Sequence, residues 1–311
     1  MTLTVIINTF ERPETLVKCL SSLRAQNDQE FLLLVIDQSE NQKTKELCDR
    51  EKIRLIFNHG RNLSVSRNIG LLSCNTDLVA FIDDDAVAMP DWVGNIKNRF
   101  SQQPELAVLG GRVIGVLTDN NEYVQFQNGI VSDYGYIEDI HPANEDKYIN
   151  GYDHWYARPM GTNMTFKLKS VLAAGGFDEY YEYNHEETDL VLRMIRQGFQ
   201  YVYADEVVVK HFNAPGINRA DSYNVNWYVN IKNNAYFGMK NGKDLLPLRI
   251  ARVLKRAYGE KGGFSIVNLL ARQGKISAKK NLQYQKDMKA GLFKGLQDGL
   301  FSHRKLINNA A

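Results

Sequence analysis

The chain has 311 residues, 44% of them hydrophobic and 24% charged, which excludes a disordered polymer and suffices for one large domain with an appendage. The net charge of +2 hides an asymmetry: from Lys243 onward 15 Lys plus Arg face 4 Asp plus Glu (net +11), and the first 242 residues carry 23 against 32 (net −9). Three scattered cysteines, Cys19, Cys48 and Cys74, argue against a disulfide framework and point to a reducing compartment. The run Leu3 to Ile7 lacks a basic flank, so no signal peptide is expected. No stretch approaches the roughly 18 apolar residues that span a bilayer. The expected location is cytoplasmic, free or peripheral on the inner membrane face.

The first hundred residues alternate between periods. Strands are expected at Leu3–Asn8, Phe31–Ile36, Ile53–Phe57 and Leu78–Ile82. Helices are expected at Pro13–Gln26, Thr44–Glu51 and Val65–Leu72. Such spacing means βαβ units and a mostly parallel sheet. Leu106–Val116 contains a strand around Gly110 and Gly111. Thr118–Tyr156 reads as irregular loops with short strands. Thr162–Lys167 reads as a strand, and Lys169–Ala174 as a short helix stopped by Gly175 and Gly176. A helix is expected at Thr188–Gln197, with Leu190, Val191, Met194 and Ile195 as its apolar face, then strands at Tyr201–Tyr203 and Val207–Lys210. Helices are expected over 224–240, 244–258, 262–274 and 279–300. The strand signals cease near Ala214–Asn218, which sets the expected division: 1–215 as an α/β domain (halves 1–103 and 104–215) and 216–311 as a basic helical region.

Three aspartates, Asp83, Asp84 and Asp85, close the apolar run Leu78 to Ile82. Carboxylates at the C-terminal end of a strand sit where open α/β sheets bind ligands. Alternate residues of a strand point the same way, so Asp83 and Asp85 would share a target if the strand continued through them. A divalent cation would relieve their repulsion and could bridge to phosphates. The competing reading is a solvated acidic turn.

Several segments resemble family 2 glycosyltransferases. Val5-Ile6-Ile7-Asn8-Thr9-Phe10-Glu11-Arg12 looks like that family's first strand and loop. Val35-Ile36-Asp37-Gln38-Ser39 resembles its second strand with a nucleotide-contacting carboxylate. Arg67-Asn68-Ile69-Gly70 is similar to its Arg-Asn-x-Gly segment, and Phe81-Ile82-Asp83-Asp84-Asp85 to its metal-binding Asp-x-Asp. Gly175-Gly176-Phe177-Asp178-Glu179 and Glu186-Glu187-Thr188-Asp189-Leu190 resemble its acceptor loop and catalytic acidic motif. The resemblance covers about residues 2–215 and implies a GT-A-type α/β fold.

It also implies roles. Asp83, Asp85 and His211 would hold Mn²⁺ or Mg²⁺ on a nucleotide diphosphate, with the imidazole tilting the choice toward Mn²⁺. Thr9, Glu11, Asp37, Arg67, Asn68, Asp83 and Asp84 would contact the donor, a UDP-, dTDP- or GDP-sugar. Gln38 departs from the family's frequent second acidic residue and leaves the base open. Glu187 would be the general base, its pKa raised by burial and by Glu186 and Asp189. Glu186 is the fallback base, and Asp189 is read as structural or acceptor-binding. Gly161 and Asn163 would approach donor or acceptor, and Trp155 or Tyr156 would stack on a sugar. With one base and no enzyme nucleophile, the anomeric centre would invert.

The expected activity is metal-dependent transfer to a glycan or lipid-linked glycan in cell-surface polysaccharide synthesis. The rival readings are a non-catalytic sugar-nucleotide or glycan-binding subunit and a nucleotidyltransferase. The latter needs a basic phosphate loop, and Asn8–Glu14 holds only Arg12 and no glycine. In the tail, Leu245, Leu246, Leu248, Ile250 and Val253 alternate with Arg249, Arg252, Lys255 and Arg256, while Leu292, Phe293, Leu296, Leu300 and Phe301 form a second apolar set. These faces either pack on the domain or a second subunit, or dock on an anionic membrane. No nucleic-acid module is recognisable, and a homo-oligomer is left open.

Overall fold

A computed structural model describes residues 1–140, 153–214 and 225–307. Strands β1 (Leu3–Thr9), β2 (Leu32–Asp37), β3 (Arg54–Phe57) and β4 (Leu78–Asp83) alternate with helices α1 (Pro13–Arg24), α2 (Lys43–Glu51) and α3 (Leu63–Leu72). The strands lie parallel in the order β3-β2-β1-β4. Val5, Ile6 and Ile7 of β1 and Val79, Ala80 and Phe81 of β4 are all buried, as central strands covered on both faces must be. Helix α3 is started by Asn62, whose side chain accepts from Val65 N–H at 3.1 Å. It packs close because Gly70 has no Cβ; one placed there would stand 2.9 Å from Ile6 Cγ2.

The sheet then changes character. It continues with β5 (Ala86–Ala88), β6 (Leu106–Val116), β7 (Glu122–Phe126), β11 (Met164–Lys167) and β12 (Gln200–His211). Strand β11 is inserted antiparallel between β4 and β6, β12 runs parallel to β6, and β5 closes the far edge. A small antiparallel sheet of β8 (Gly129–Ser132), β9 (Ile137–Glu138) and β10 (Trp155–Arg158) stands beside it. Helices α4 (Trp92–Gln102), α5 (Leu168–Ala173) and α6 (Glu186–Arg196) cover the faces. One core joins α1 and α4 to the sheet, and a second joins it to α5 and α6.

Four details depart from expectation. β5 and α4 have no counterpart in the sequence reading, α6 begins two residues earlier, and the two strands expected at 201–203 and 207–210 are one strand. That strand loses register with β6 between Ala204 and Val208, which splits its pattern. The expected domain boundary near Ala214–Asn218 and the helix start at 224 fall largely on residues outside those described.

The C-terminal helices are α7 (Trp227–Asn241), α8 (Leu246–Tyr258), α9 (Gly263–Arg272) and α10 (Ala278–Phe301). Their inner faces form a third core with Ile231, Val253, Phe264, Val267, Met288 and Leu292. Tyr236 and Phe237 of α7 also enter the second core. The residues after α10 return to the α/β body: Lys305 N–H donates to Asp178 Oδ1 at 2.9 Å and Ile307 N–H to Gly175 O at 2.9 Å. Packing therefore accounts for one side of the tail, while Leu245, Phe293 and Phe301 stay 83%, 70% and 80% exposed. Among the described residues no helix is long and apolar enough to cross a membrane.

Candidate active site

The parallel strands bring their C-terminal ends to one edge. Thr9 is in register with Asp37, and Asn8 with Asp83, so these groups stand on neighbouring strands about 4.8 Å apart. Strand β4 stops at Asp83, and Asp84 and Asp85 form a turn before β5. The expected strand alternation of Asp83 and Asp85 therefore does not occur. The turn instead swings Asp85 against the end of β12, where Phe212 N–H donates to Asp85 O at 3.0 Å. A cleft of about 380 Å³ opens along this edge, lined by Thr9, Asp83, Asp85 and His211 together with Arg67, Arg158, Glu186 and Glu187.

Asp83, Asp85 and His211 each offer a ligand atom, all within 4.8 Å of one another. His211 Nε2 lies 3.2 Å from Asp85 Oδ1, and its Nδ1 lies 3.1 Å from Gln125 Oε1. With Nδ1–H donating to Gln125, Nε2 faces the carboxylates, donating to Asp85 when it carries a proton and able to ligate a cation when it does not. That arrangement calls for a shared cation, and an outer partner that orients the imidazole is usual for a metal-binding histidine. Burial pushes the Asp85 carboxyl up, but His211, Arg12 and the Ala214 N–H outweigh it and hold it below the usual range. Ala214 N–H donates to Asp85 Oδ2 at 2.7 Å. The donor set fits a divalent ion of the Mg²⁺ or Mn²⁺ kind.

Asp84 turns the other way. It is fully buried, accepts from Thr9 Oγ1 at 2.6 Å and from Arg12 Nη2 at 2.5 Å, and does not line the cleft. Burial pushes its pKa up to about 7 against the opposing pull of Arg12. Its expected donor contact is replaced by a tie between β1 and the aspartate turn. Arg12 also reaches Asp85 Oδ2 at 3.3 Å, a bracing role that sequence reasoning missed.

The other expected donor contacts divide. Thr9 lines the cleft with its hydroxyl spent on Asp84. Asp37 is buried behind the lining, accepts from Ser39 N–H at 2.9 Å, and is pushed up by burial; Gln38 lines the cleft in its place. Glu11 has a left-handed backbone (φ 54°) and reaches along the surface to Glu40 N–H at 2.6 Å, away from the cleft. Arg67 is buried rather than on the surface, donates to Glu186 Oε1 at 2.8 Å, and stands 3.9 Å from Asp83. Asn68 faces away, clamping Phe177 through both N–H and C=O at 2.9 Å. That clamp packs against Gly176, whose φ of +62° favours glycine.

The acidic motif opens α6 after two left-handed residues, Asn184 (φ 66°) and His185 (φ 75°). Glu187 Oε1 accepts from Arg158 Nη2 at 2.8 Å and from Thr188 Oγ1 at 3.0 Å. Burial raises the Glu187 pKa, but Arg158 and Arg67 overcome it and leave the group below its ordinary value. The expectation of a raised pKa is thus wrong for Glu187, because the arginine on β10 was not legible. Glu186 is the raised one: burial and Glu187 push it up to about 7 despite Arg67. Asp189 lies outside the cleft, bonded to Arg193 Nε at 2.8 Å, to Asn241 Nδ2 at 3.0 Å and to Arg304. Of the two expected readings, these bonds favour the structural one.

Gly161 lines the cleft beneath Arg67, where a Cβ would stand 2.9 Å from Nη2. Asn163 does not. Its side chain accepts from Trp92 Nε1 at 2.9 Å and donates to Arg112 O and Val207 O at 2.9 and 2.8 Å. Trp155 sits on β10 in the small sheet opposite Ser132, and neither it nor Tyr156 lines the cleft. Neither Asn163 nor Trp155 is therefore among the described residues that line the cleft. Trp92 is fully buried.

Comparisons with known proteins agree with this architecture. A pre-mycofactocin glycosyltransferase from Mycobacterium tuberculosis is 25% identical over 166 residues, covering 53% of this chain and 32% of that protein. A glucosyl-dolichyl phosphate glucuronosyltransferase from Haloferax volcanii is 25% identical over 185 residues, covering 57% and 56%. The chain thus spans about a third to a half of the length of these relatives. The solved structure of GalNAc-T7 with UDP, GalNAc and Mn²⁺ superposes with a TM-score of 0.60 at 14% identity, covering 98% of this chain and 58% of that one, which places the fold in the GT-A class. The model for glycosyl transferase family 2 matches residues 4–160, the segment that carries the strand-end aspartates and half of the cleft, and the chain belongs to that family.

Proposed function

We propose that this chain is an inverting, divalent-metal-dependent glycosyltransferase acting on a nucleotide sugar. The observation that carries the reading is that Asp83, Asp85 and His211 line the same cleft as Glu186 and Glu187. A divalent ion held by the three ligands supplies neutralisation of the diphosphate leaving group. Arg67, between Asp83 and Glu186, adds a fixed positive charge beside that group. Glu187 takes the acceptor hydroxyl proton. Arg158 and Thr188 both bind its Oε1, so Oε2 is left for the acceptor, and a lowered pKa keeps the group ionised at neutral pH. A base on one face and a leaving group on the other give a single displacement with inversion.

A second assignment of the base has its own support: the Glu186 pKa of about 7 suits proton transfer near neutrality. The donor is a UDP-, dTDP- or GDP-sugar; GalNAc-T7 binds UDP, and a mannosyltransferase of similar fold from Pyrobaculum calidifontis binds GDP-mannose, each with Mn²⁺. The acceptor is a glycan or lipid-linked glycan of the cell surface, a reading favoured by relatives named as hyaluronan and chondroitin synthases and as the dolichyl phosphate enzyme. The division into a catalytic body and a basic helical tail supports work from the cytoplasmic face of a membrane. The test is transfer from a panel of sugar nucleotides with Mn²⁺, comparing wild type with Asp85→Ala and Glu187→Gln. Loss of turnover in both supports the reading, and full turnover in both defeats it.

A further inference from the structure

A second cavity of about 230 Å³ lies behind the acidic wall, between the start of α6 and helices α7, α8 and α9. Ile137 and Asn184 line both it and the cleft, so the two spaces adjoin. Three of its polar atoms are unsatisfied. Trp227 Nε1, His185 Nδ1 and Arg256 Nε are buried without a hydrogen-bond partner among the described residues. Asn234 donates to Asn230 O at 2.8 Å and presents its Oδ1 to His185 Nε2 at 3.0 Å. Nε2 therefore carries the proton, and Nδ1 is an acceptor. The cavity thus offers two donors and one acceptor, a pattern that suits a ring of hydroxyls.

The charge is as telling. The buried arginines Arg67, Arg158 and Arg193 each pair with a carboxylate. Arg256 has none among the described residues: its bonds run to Gly135 O at 3.3 Å and Lys261 O at 3.5 Å, with Tyr136 4.9 Å beneath it. No Asp or Glu lines the cavity among the described residues, and Lys261 stands at its edge. The turn that brings Lys261 there needs its glycines, since a Cβ on Gly262 would lie 2.1 Å from Ala257 O. Arg256 is partly buried, with only its Nε fully covered, and a partly desolvated cation without a counter-ion favours an anion beside it.

We propose that this cavity is an acceptor subsite for a sugar bearing an oxyanion, carboxylate or phosphate, gripped by Arg256 with Trp227 and His185 on its hydroxyls. The inference rests on the transferase reading of the adjoining cleft. Arginine binds either oxyanion through paired N–H bonds. The test titrates the full chain, by ligand-observed NMR, with methyl glucuronide, glucose 6-phosphate, methyl glucoside and inorganic phosphate. Wild type is compared with Arg256→Gln and Trp227→Phe, and UDP with Mn²⁺ is titrated into each protein as a separate readout of the cleft.

At least one anionic sugar is expected to bind about tenfold more tightly than the glucoside, the better of the two naming the source of the anion. Arg256→Gln is expected to remove that preference and Trp227→Phe to weaken it, with UDP affinity unchanged. Should Arg256→Gln fail to fold, Lys261→Gln with Trp227→Phe carries the comparison. Equal binding of the glucoside, or of inorganic phosphate and glucose 6-phosphate, overturns the proposal, as does a preference that survives Arg256→Gln. Anionic sugars binding to a wild type that ignores UDP would leave an anionic-sugar cavity but defeat the transferase reading.

Discussion

Two adjacent glutamates at the head of α6 are shifted in opposite directions: both are buried and both feel Arg67, but Arg158 holds Glu187 down while the charge of Glu187 pushes Glu186 up. This decides how activity should depend on pH. A base must be ionised, so rate falls as pH drops below its pKa. With Glu187 as base, kcat/KM stays flat down to pH values below the ordinary carboxylate range; with Glu186 it falls around pH 7. Glu187→Gln is expected to lower kcat by about 10²- to 10⁴-fold. Arg158→Met is expected to move the acid limb upward, since the charge that holds Glu187 down is gone; a pH–rate profile of both variants checks this. At this scale Asp83, Asp85 and His211 were legible because their chemistry and strand-end positions are local properties. Asp84, Asn68 and Asn163 were not, because a residue's role there depends on which way a turn sends its side chain. Arg158 was hidden in a stretch of weak periodicity.

At the scale of elements, the catalytic helix is tied to the end of the chain. Asp189 of α6, itself fully buried, binds Arg193, Asn241 of α7 and the partly buried Arg304 beyond α10. Breaking a buried pair by removing one charge costs about 3–5 kcal/mol. Asp189→Asn should therefore lower unfolding stability by that order in a denaturant titration. Burial opposes ionisation of Asp189, but Arg304 and Arg193 hold its pKa well below the ordinary value. Its stabilisation is then complete above about pH 4, the unfolded value, and is lost as pH falls below it. The parallel half of the sheet was readable from alternating periods. The antiparallel insertion of β11 was not, since a four-residue strand carries no sign of its partner. Helix α4 was missed although Trp92, Val93, Ile96 and Phe100 form its buried stripe.

Across the whole molecule, charge is segregated: the segment from Lys243 onward carries +11 and the rest −9. Helix packing consumes the inner apolar faces and leaves Leu245, Leu246, Leu248, Phe293 and Phe301 of the basic segment exposed. Each basic residue near an anionic leaflet contributes about 1 kcal/mol. Co-sedimentation with vesicles rich in phosphatidylserine is expected to exceed that with neutral vesicles and to be reversed by salt. Equal recovery in both would show that the exposed face serves another contact. The helical character of the tail was legible from its 3.6-residue period. Its return to Asp178 and Gly175 was not, because nothing in the sequence of residues 302–307 names a partner.

The most direct measurement is calorimetric titration of UDP and GDP into wild type, with Mn²⁺ and with EDTA, repeated on Asp85→Ala. A divalent ion shared by Asp83, Asp85 and His211 should make one nucleotide bind at least about tenfold more tightly with Mn²⁺, and Asp85→Ala should abolish that gain. Nucleotide binding of equal strength with and without metal in the wild type would contradict the proposed site.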